Sequence, residues 1–233
     1  MTPWVWFVIA GLAAVAGTVL LSVERRHRTA HQRERRRWAA LRGWRFVPSD
    51  PELADHWRHG VIGRSGPGMA TDLVSGSLFT PLGRRSVRVF DHVHGGQVSS
   101  VVVALQRRVH AGDLVAELWL DQPLSQDTAL DMLGPVGDRV AFVSDPDGVR
   151  RLMTPELALA LNALGADVPV AWFEQDWVLA ATPFTATPTR LERLLRALDE
   201  IADLLDSDDD RGPDLSELAD SVEPIDPSGS RHW

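Results

Sequence analysis

Val87-Arg88-Val89-Phe90-Asp91-His92-Val93-His94-Gly95-Gly96-Gln97-Val98-Ser99-Ser100-Val101-Val102-Val103-Ala104-Leu105 is the stretch that decides the fold. Val87, Val89 and Val93 alternate with Arg88, Phe90, His92 and His94, the period of two expected of a strand with distinct faces. Gly95-Gly96 supplies a tight turn, because glycine enters left-handed backbone without a Cβ clash. The apolar run Val101 to Leu105 is the returning strand. The stretch is therefore a hairpin.

Outward from this hairpin, Leu114 to Leu120 and Val140 to Val143 read as further strands, and Asp72 to Phe79 as a weaker one. Val170 to Phe173 and Trp177 to Ala181, separated by Glu174-Gln175-Asp176, form a second hairpin. Three segments share one helix-start pattern, a capping side chain followed by proline. Asp50-Pro51-Glu52 opens a helix to Trp57, Thr154-Pro155-Glu156 one to Leu164, and Thr187-Pro188 the longest, to Leu205. Proline fits the first helical position because the N–H it lacks has no intrahelical partner there. In the last helix Leu191, Leu194, Leu195, Leu198, Ile201 and Leu205 make one apolar stripe, which should lie on the sheet.

The predicted fold class is α+β. An N-terminal transmembrane helix precedes an antiparallel sheet of about six to eight strands, with a long C-terminal helix packed on it. The expected division is residues 1–42 as anchor and arginine collar, 43–206 as a cytoplasmic domain, and 207–233 as an acidic disordered tail.

The membrane expectation rests on Trp4 to Val23, a run with no charged residue. At about 1.5 Å per residue it has the length to cross a hydrocarbon core of about 30 Å. Behind it stand Arg25, Arg26, Arg28, Arg33, Arg35, Arg36, Arg37, Arg42 and Arg45, against Glu24 and Glu34 alone. The positive-inside bias then puts the N-terminus outside and the domain in the cytoplasm, as a single-pass protein of the inner (plasma) membrane. A cleaved signal peptide would need a basic start, which Met1-Thr2-Pro3 lacks. Ala14-Val15-Ala16 resembles a cleavage site, but the apolar run continues past it.

Composition excludes several chemistries. With no Cys there are no disulfides, thiol nucleophiles or thiolate metal sites, and with no Lys there is no phosphate-loop lysine or Schiff base. The net charge of −8 divides unevenly. Residues 1–45 are basic, and the remainder, above all residues 199–233, is acidic. A domain of that sign is a poor nucleic-acid binder, so no nucleic-acid partner is expected.

The candidate sites are few. His92 and His94 stand two apart on a strand and so share a face, which would let both imidazoles reach one metal ion. Asp91 points the other way, and spacing fixes no third ligand. His56 with His59, and His27 with His31, are weaker pairs. Asp206, Asp208, Asp210, Asp214 and Glu217 fall at the liganding positions of a calcium loop. Arg211 stands where that loop needs glycine, so an acidic tail is the simpler reading. Gly63-Arg64-Ser65-Gly66-Pro67-Gly68 has the glycines of a phosphate cradle but no lysine, and is expected to be a mobile connection. The carboxylates cannot be paired into an acid/base couple from spacing, and no cofactor is predicted.

An N-terminal span, an arginine collar and Gly43-Trp44-Arg45-Phe46 are followed by Asp50, Leu53 and Trp57, then by the Val87–Asp91 and Val101–Leu105 strands and a Leu-rich closing helix. This order resembles a broad group of uncharacterised actinobacterial single-span membrane proteins with a Gly-Trp-starting cytoplasmic α+β domain. The resemblance implies topology and fold and brings no assigned activity. The function expected is that of a non-catalytic, membrane-tethered interaction or scaffold module. Its partners would be the lipid bilayer, through Trp4–Val23 and the Arg25–Arg37 collar, and a protein. An enzyme with a carboxylate/His site, or a ligand- or ion-sensing domain, is the alternative.

Overall fold

The structure is a computed structural model that describes residues 29–66, 68–109, 112, 114–121 and 129–209. Its centre is one nine-stranded sheet in which every neighbouring pair is antiparallel. The strands are β1 (Arg45–Asp50), β2 (Met69–Thr80), β3 (Gly83–His94), β4 (Gln97–Gln106), β5 (Ala116–Trp119), β6 (Asp131–Val136), β7 (Arg139–Val143), β8 (Val170–Glu174) and β9 (Trp177–Thr182). They lie in the order β1-β2-β3-β4-β9-β8-β5-β7-β6. The deciding hairpin is β3–β4, paired from Val87↔Leu105 to His94↔Gln97.

Nine strands exceed the six to eight expected, and the additions are β1 and β6. Both lie at sheet edges and both contain a proline, Pro48 and Pro135. An edge tolerates proline because the missing N–H would have faced solvent, and proline also blocks a stray strand from docking there. In sequence the same prolines hide the strands.

The described helices are α1 (residues 29–41), α2 (Gly60–Ser65), α3 (Pro146–Leu152), α4 (Pro155–Asn162) and α5 (Pro188–Asp209). The cap-then-proline starts of α4 and α5 are real. Thr154 Oγ1 accepts from Leu157 N–H at 3.2 Å, and Thr187 Oγ1 from Arg190 N–H at 3.4 Å. Asp145-Pro146 starts α3 by the same pattern, with Asp145 accepting from Asp147 N–H at 3.1 Å. Asp50 differs. It ends β1 and caps only a short 3₁₀ turn, Leu53–His56, through bonds of 3.1 Å from Glu52 and Leu53 N–H.

Each sheet face buries its own apolar cluster. On one face Val87, Val89, Val101, Val103, Leu105, Phe173 and Val178 meet the apolar stripe of α5, together with α4 and Trp38 and Ala39 of α1. On the other, Phe90, Val102, Ala104, Phe142, Val170, Trp172 and Leu179 meet Leu53, Trp57 and Ile62. Because β3 and β4 are central, Phe90 and Val102 are both inaccessible although their neighbours face the opposite layer.

Parts of the collar and of the suspected calcium loop are built into the domain. Arg35 is buried and ion-paired with Asp91 on β3, and Trp38 Nε1 donates to Glu192 of α5 at 2.7 Å. Arg33, Arg36 and Arg37 point outward. Asp206, the first position of the suspected calcium loop, is a buried residue of α5. Its carboxylate takes Arg85 Nη2 at 2.9 Å and Arg107 Nε at 3.2 Å. Fixing α5 to β3 and to the end of β4 is therefore its role.

The expected placement as a single-pass protein of the plasma membrane is corrected. No helix among the described residues is long and apolar enough to cross a membrane. At 22 residues α5 has the length, but Arg190, Glu192, Arg193, Asp199 and Asp203 interrupt it. Trp4–Val23, on which the placement rested, lies outside the described residues, as does the tail beyond residue 209.

Candidate functional site

Residues 51–66 cross the second face of the sheet as a cap made of the 3₁₀ turn and α2. So short a segment has little helical stability of its own. Buried carboxylates of the sheet fasten it. Glu174, the last residue of β8, accepts Arg58 N–H through both oxygens at 3.0 and 3.1 Å and His59 N–H at 3.2 Å. Glu117 of β5 accepts Gly60 N–H at 2.7 Å and the indole N–H of Trp119 at 2.7 Å. Both glutamates are under 5% exposed. A carboxylate so placed must be saturated with donors, and three consecutive backbone N–H groups supply most of them.

His59 completes the fastening. Its Nδ1 lies 3.1 Å from Glu174, and the hydrogen bond to that carboxylate raises its pKa against the opposing effect of burial. Gly60 permits the close approach. Its φ is +63°, and a Cβ there would lie 2.5 Å from the Trp172 ring. Beneath the cap Trp57 stacks on Phe90 at 5.7 Å with planes 6° apart, and meets Trp177 edge-on at 5.6 Å. Arg88 lies over both indoles, 5.9 Å and 5.0 Å from their centroids. The cap leaves a cleft of about 480 Å³ lined by Ala54, Asp55, Trp57, Arg58, Ile62, Gly63, Gly66 and Gly68. Asp55 and Arg58 are its exposed charged groups.

His92 and His94 lie against Gly68 and Gly66, two residues of the cleft lining, and are not themselves part of that lining. His92 is fully buried and its Nδ1 lies 2.9 Å from Ser99 Oγ. The same hydroxyl lies 3.0 Å from the His92 carbonyl, and Nε2 faces Gly68. Burial, with a smaller push from His94, holds the ring's pKa below its usual value. His94 is exposed at the hairpin end and lies near Gly66. Among the described residues no three His, Asp or Glu side chains gather as a metal site. His56 is exposed, and His59 is engaged by Glu174 rather than by His56. His27 lies outside the described residues. Part of the glycine-rich stretch expected to be a loop, Gly63-Arg64-Ser65, closes α2.

Glu117 and Glu174 are the groups that sequence reasoning missed. The available signal was Glu117 inside the apolar stretch Leu114 to Leu120, where a charge demands a partner.

The geometry defines an antiparallel α+β module whose buried acids shape a surface by holding backbone. Residues 1–217 match the family described as trehalose monomycolate transport factor TtfA, and the chain belongs to that family. It is 28% identical over 208 residues to trehalose monomycolate transport factor A of Mycolicibacterium smegmatis (strain ATCC 700084 / mc(2)155), covering 88% of this chain and 70% of that protein. The fold is similar to the crystal structure of the mycobacterial trehalose monomycolate transport factor A, TtfA. There the TM-score is 0.64 at 26% identity, over 75% of this chain and 93% of that one. The resemblance to uncharacterised actinobacterial proteins is thus corrected in one respect: the family has a described role.

Proposed function

We propose that this chain is a non-catalytic interaction factor in the transport of a trehalose monomycolate-type glycolipid, and that the cap over the second sheet face docks a transporter protein. The observation that carries this reading is the use made of Glu117 and Glu174. Both are committed to backbone N–H groups of residues 58–60. General acid/base work needs a carboxyl free to exchange a proton with substrate. A carboxylate held by several donors instead fixes the shape of the segment it holds, and a rigid recognition surface has less order to lose on binding. Arg58 and Asp55 supply the exposed polar contacts, around a cleft floored by Trp57 and Ile62.

The absence of native cysteine makes the test clean. A full chain carrying Arg58→Cys and a photoactivatable maleimide should cross-link to one transporter in the producing cells. The same label at Arg151→Cys, on α3, should not. Equal cross-linking from both positions, or from neither, contradicts the docking reading.

A further inference from the structure

The β2–β3 hairpin projects beyond its sheet. β1 pairs with β2 only as far as Ser75, and β4 pairs with β3 only from Val87 onward. Beyond these β2 and β3 continue as a pair through Ser77↔Ser86, Leu78↔Arg85 and Phe79↔Arg84 to Thr80↔Gly83. The finger has two unlike faces. Leu78 packs toward the helical layer and Arg85 is buried against Asp199, Asp203 and Asp206 of α5. On the other face Phe79 is 79% exposed, and Leu82 in the turn is 61% exposed. Pro81 between them is exposed as well.

We propose that this tip inserts into the interface of an anionic lipid surface. Three features select a lipid surface over a protein groove. The apolar groups sit on a convex end, which a planar interface accommodates without a matching concavity. Arg84 lies over the Phe79 ring at 5.5 Å and has no carboxylate partner among the described residues, so it can meet a lipid phosphate while the ring goes deeper. The turn's carbonyls are already engaged: Thr80 Oγ1 donates to Gly83 O at 3.0 Å, and Arg108 Nη1 to Leu82 O at 2.7 Å. Backbone can leave water only when its polar groups have partners, and here two of them do. Insertion of one aromatic and one aliphatic side chain is a weak contact, suited to orienting a domain that other contacts hold in place.

The test uses the full chain with Leu82→Cys as its only cysteine, labelled with an environment-sensitive fluorophore. With vesicles of phosphatidylglycerol and phosphatidylcholine in equal amounts, the emission should shift to the blue and be quenched by brominated acyl chains. The label reads the tip itself, whatever else holds the protein on the vesicle. A label at Glu156→Cys on α4 should stay at its aqueous emission. Arg84→Glu in the Leu82→Cys background should cut the shifted fraction about fivefold, and Phe79→Ser comparably. Phosphatidylcholine alone should give a small shift. Aqueous emission at position 82 on vesicles that carry the protein, or failure of the protein to associate with them, overturns the proposal. So does a shift at position 156 equal to that at 82. A tip that stays aqueous on vesicles but cross-links to a protein belongs to a protein groove, and the lipid assignment falls.

Discussion

Glu174 holds the backbone of Arg58 with both of its carboxylate oxygens, at 3.0 and 3.1 Å, across 116 positions of sequence. The contact uses the Arg58 N–H and leaves the guanidinium free at the surface. Position 58 can therefore be altered to probe recognition, and position 174 to probe the fold.

Glu174→Gln should lower stability by about 1.5–3 kcal/mol, the scale of hydrogen bonds to a charged group, since the amide replaces a charge that several donors surround. Arg58→Ala should change it by less than about 0.5 kcal/mol, because the backbone bond persists. Urea unfolding of both variants measures the contrast. Equal losses would mean that the Arg58 side chain, and not its N–H, holds the cap.

The His59–Glu174 pair makes cap stability depend on pH. The pKa of His59 is raised in the folded state, first by its hydrogen bond to Glu174. A raised folded pKa gives a contribution fully present below the unfolded value near 6.5 and lost as pH rises through the folded value. Amide exchange at residues 58–60 should therefore show less protection above neutrality than at pH 6, after correction for intrinsic rates. In His59→Gln that dependence should vanish. Protection that increases with pH would reverse the sign argued here.

Gly60→Ala should cost about 1–3 kcal/mol, because the added methyl meets the Trp172 ring in a backbone region that alanine avoids. Gly96→Ala, at φ +80° with nothing near a Cβ, meets the backbone penalty alone and should cost less. Thermal melts of the two variants decide it. A reversed order would mean that Trp172 moves aside freely.

Asp206→Asn should destabilise the domain by about 3–5 kcal/mol, since Arg85 and Arg107 are fully buried and would lose a shared counter-charge. Calcium should leave the melting temperature unchanged, because the Asp206 oxygens are already engaged by guanidinium groups. A calcium-dependent rise abolished by the same substitution would restore the ion-loop reading.

Much of the fold was legible because its signals are local. The β3–β4 hairpin needs only alternation and two glycines, and α4 and α5 only a capping threonine before proline. The missed strands depended on context. Pro48 and Pro135 are tolerable only at an edge, and edge position is a property of the whole sheet. The cap was illegible for a like reason. Nothing near Arg58 announces Glu174, and the partnership exists only because β8 lies beneath it. Arg35 read as a solvated collar residue because its partner Asp91 is 56 positions away. His92 and His94 were singled out by their spacing alone, whereas the acids that shape the cleft were not distinguished from the many others.

We propose that the capped face engages a transporter without chemistry of its own. The most direct measurement is the amount of transporter that co-purifies with the full chain when the cleft charges are reversed by Asp55→Arg and Arg58→Glu. The expected outcome is a loss of about tenfold, with melting temperature unchanged, because both side chains are exposed and neither holds the cap. Undiminished co-purification by a folded double variant would contradict it.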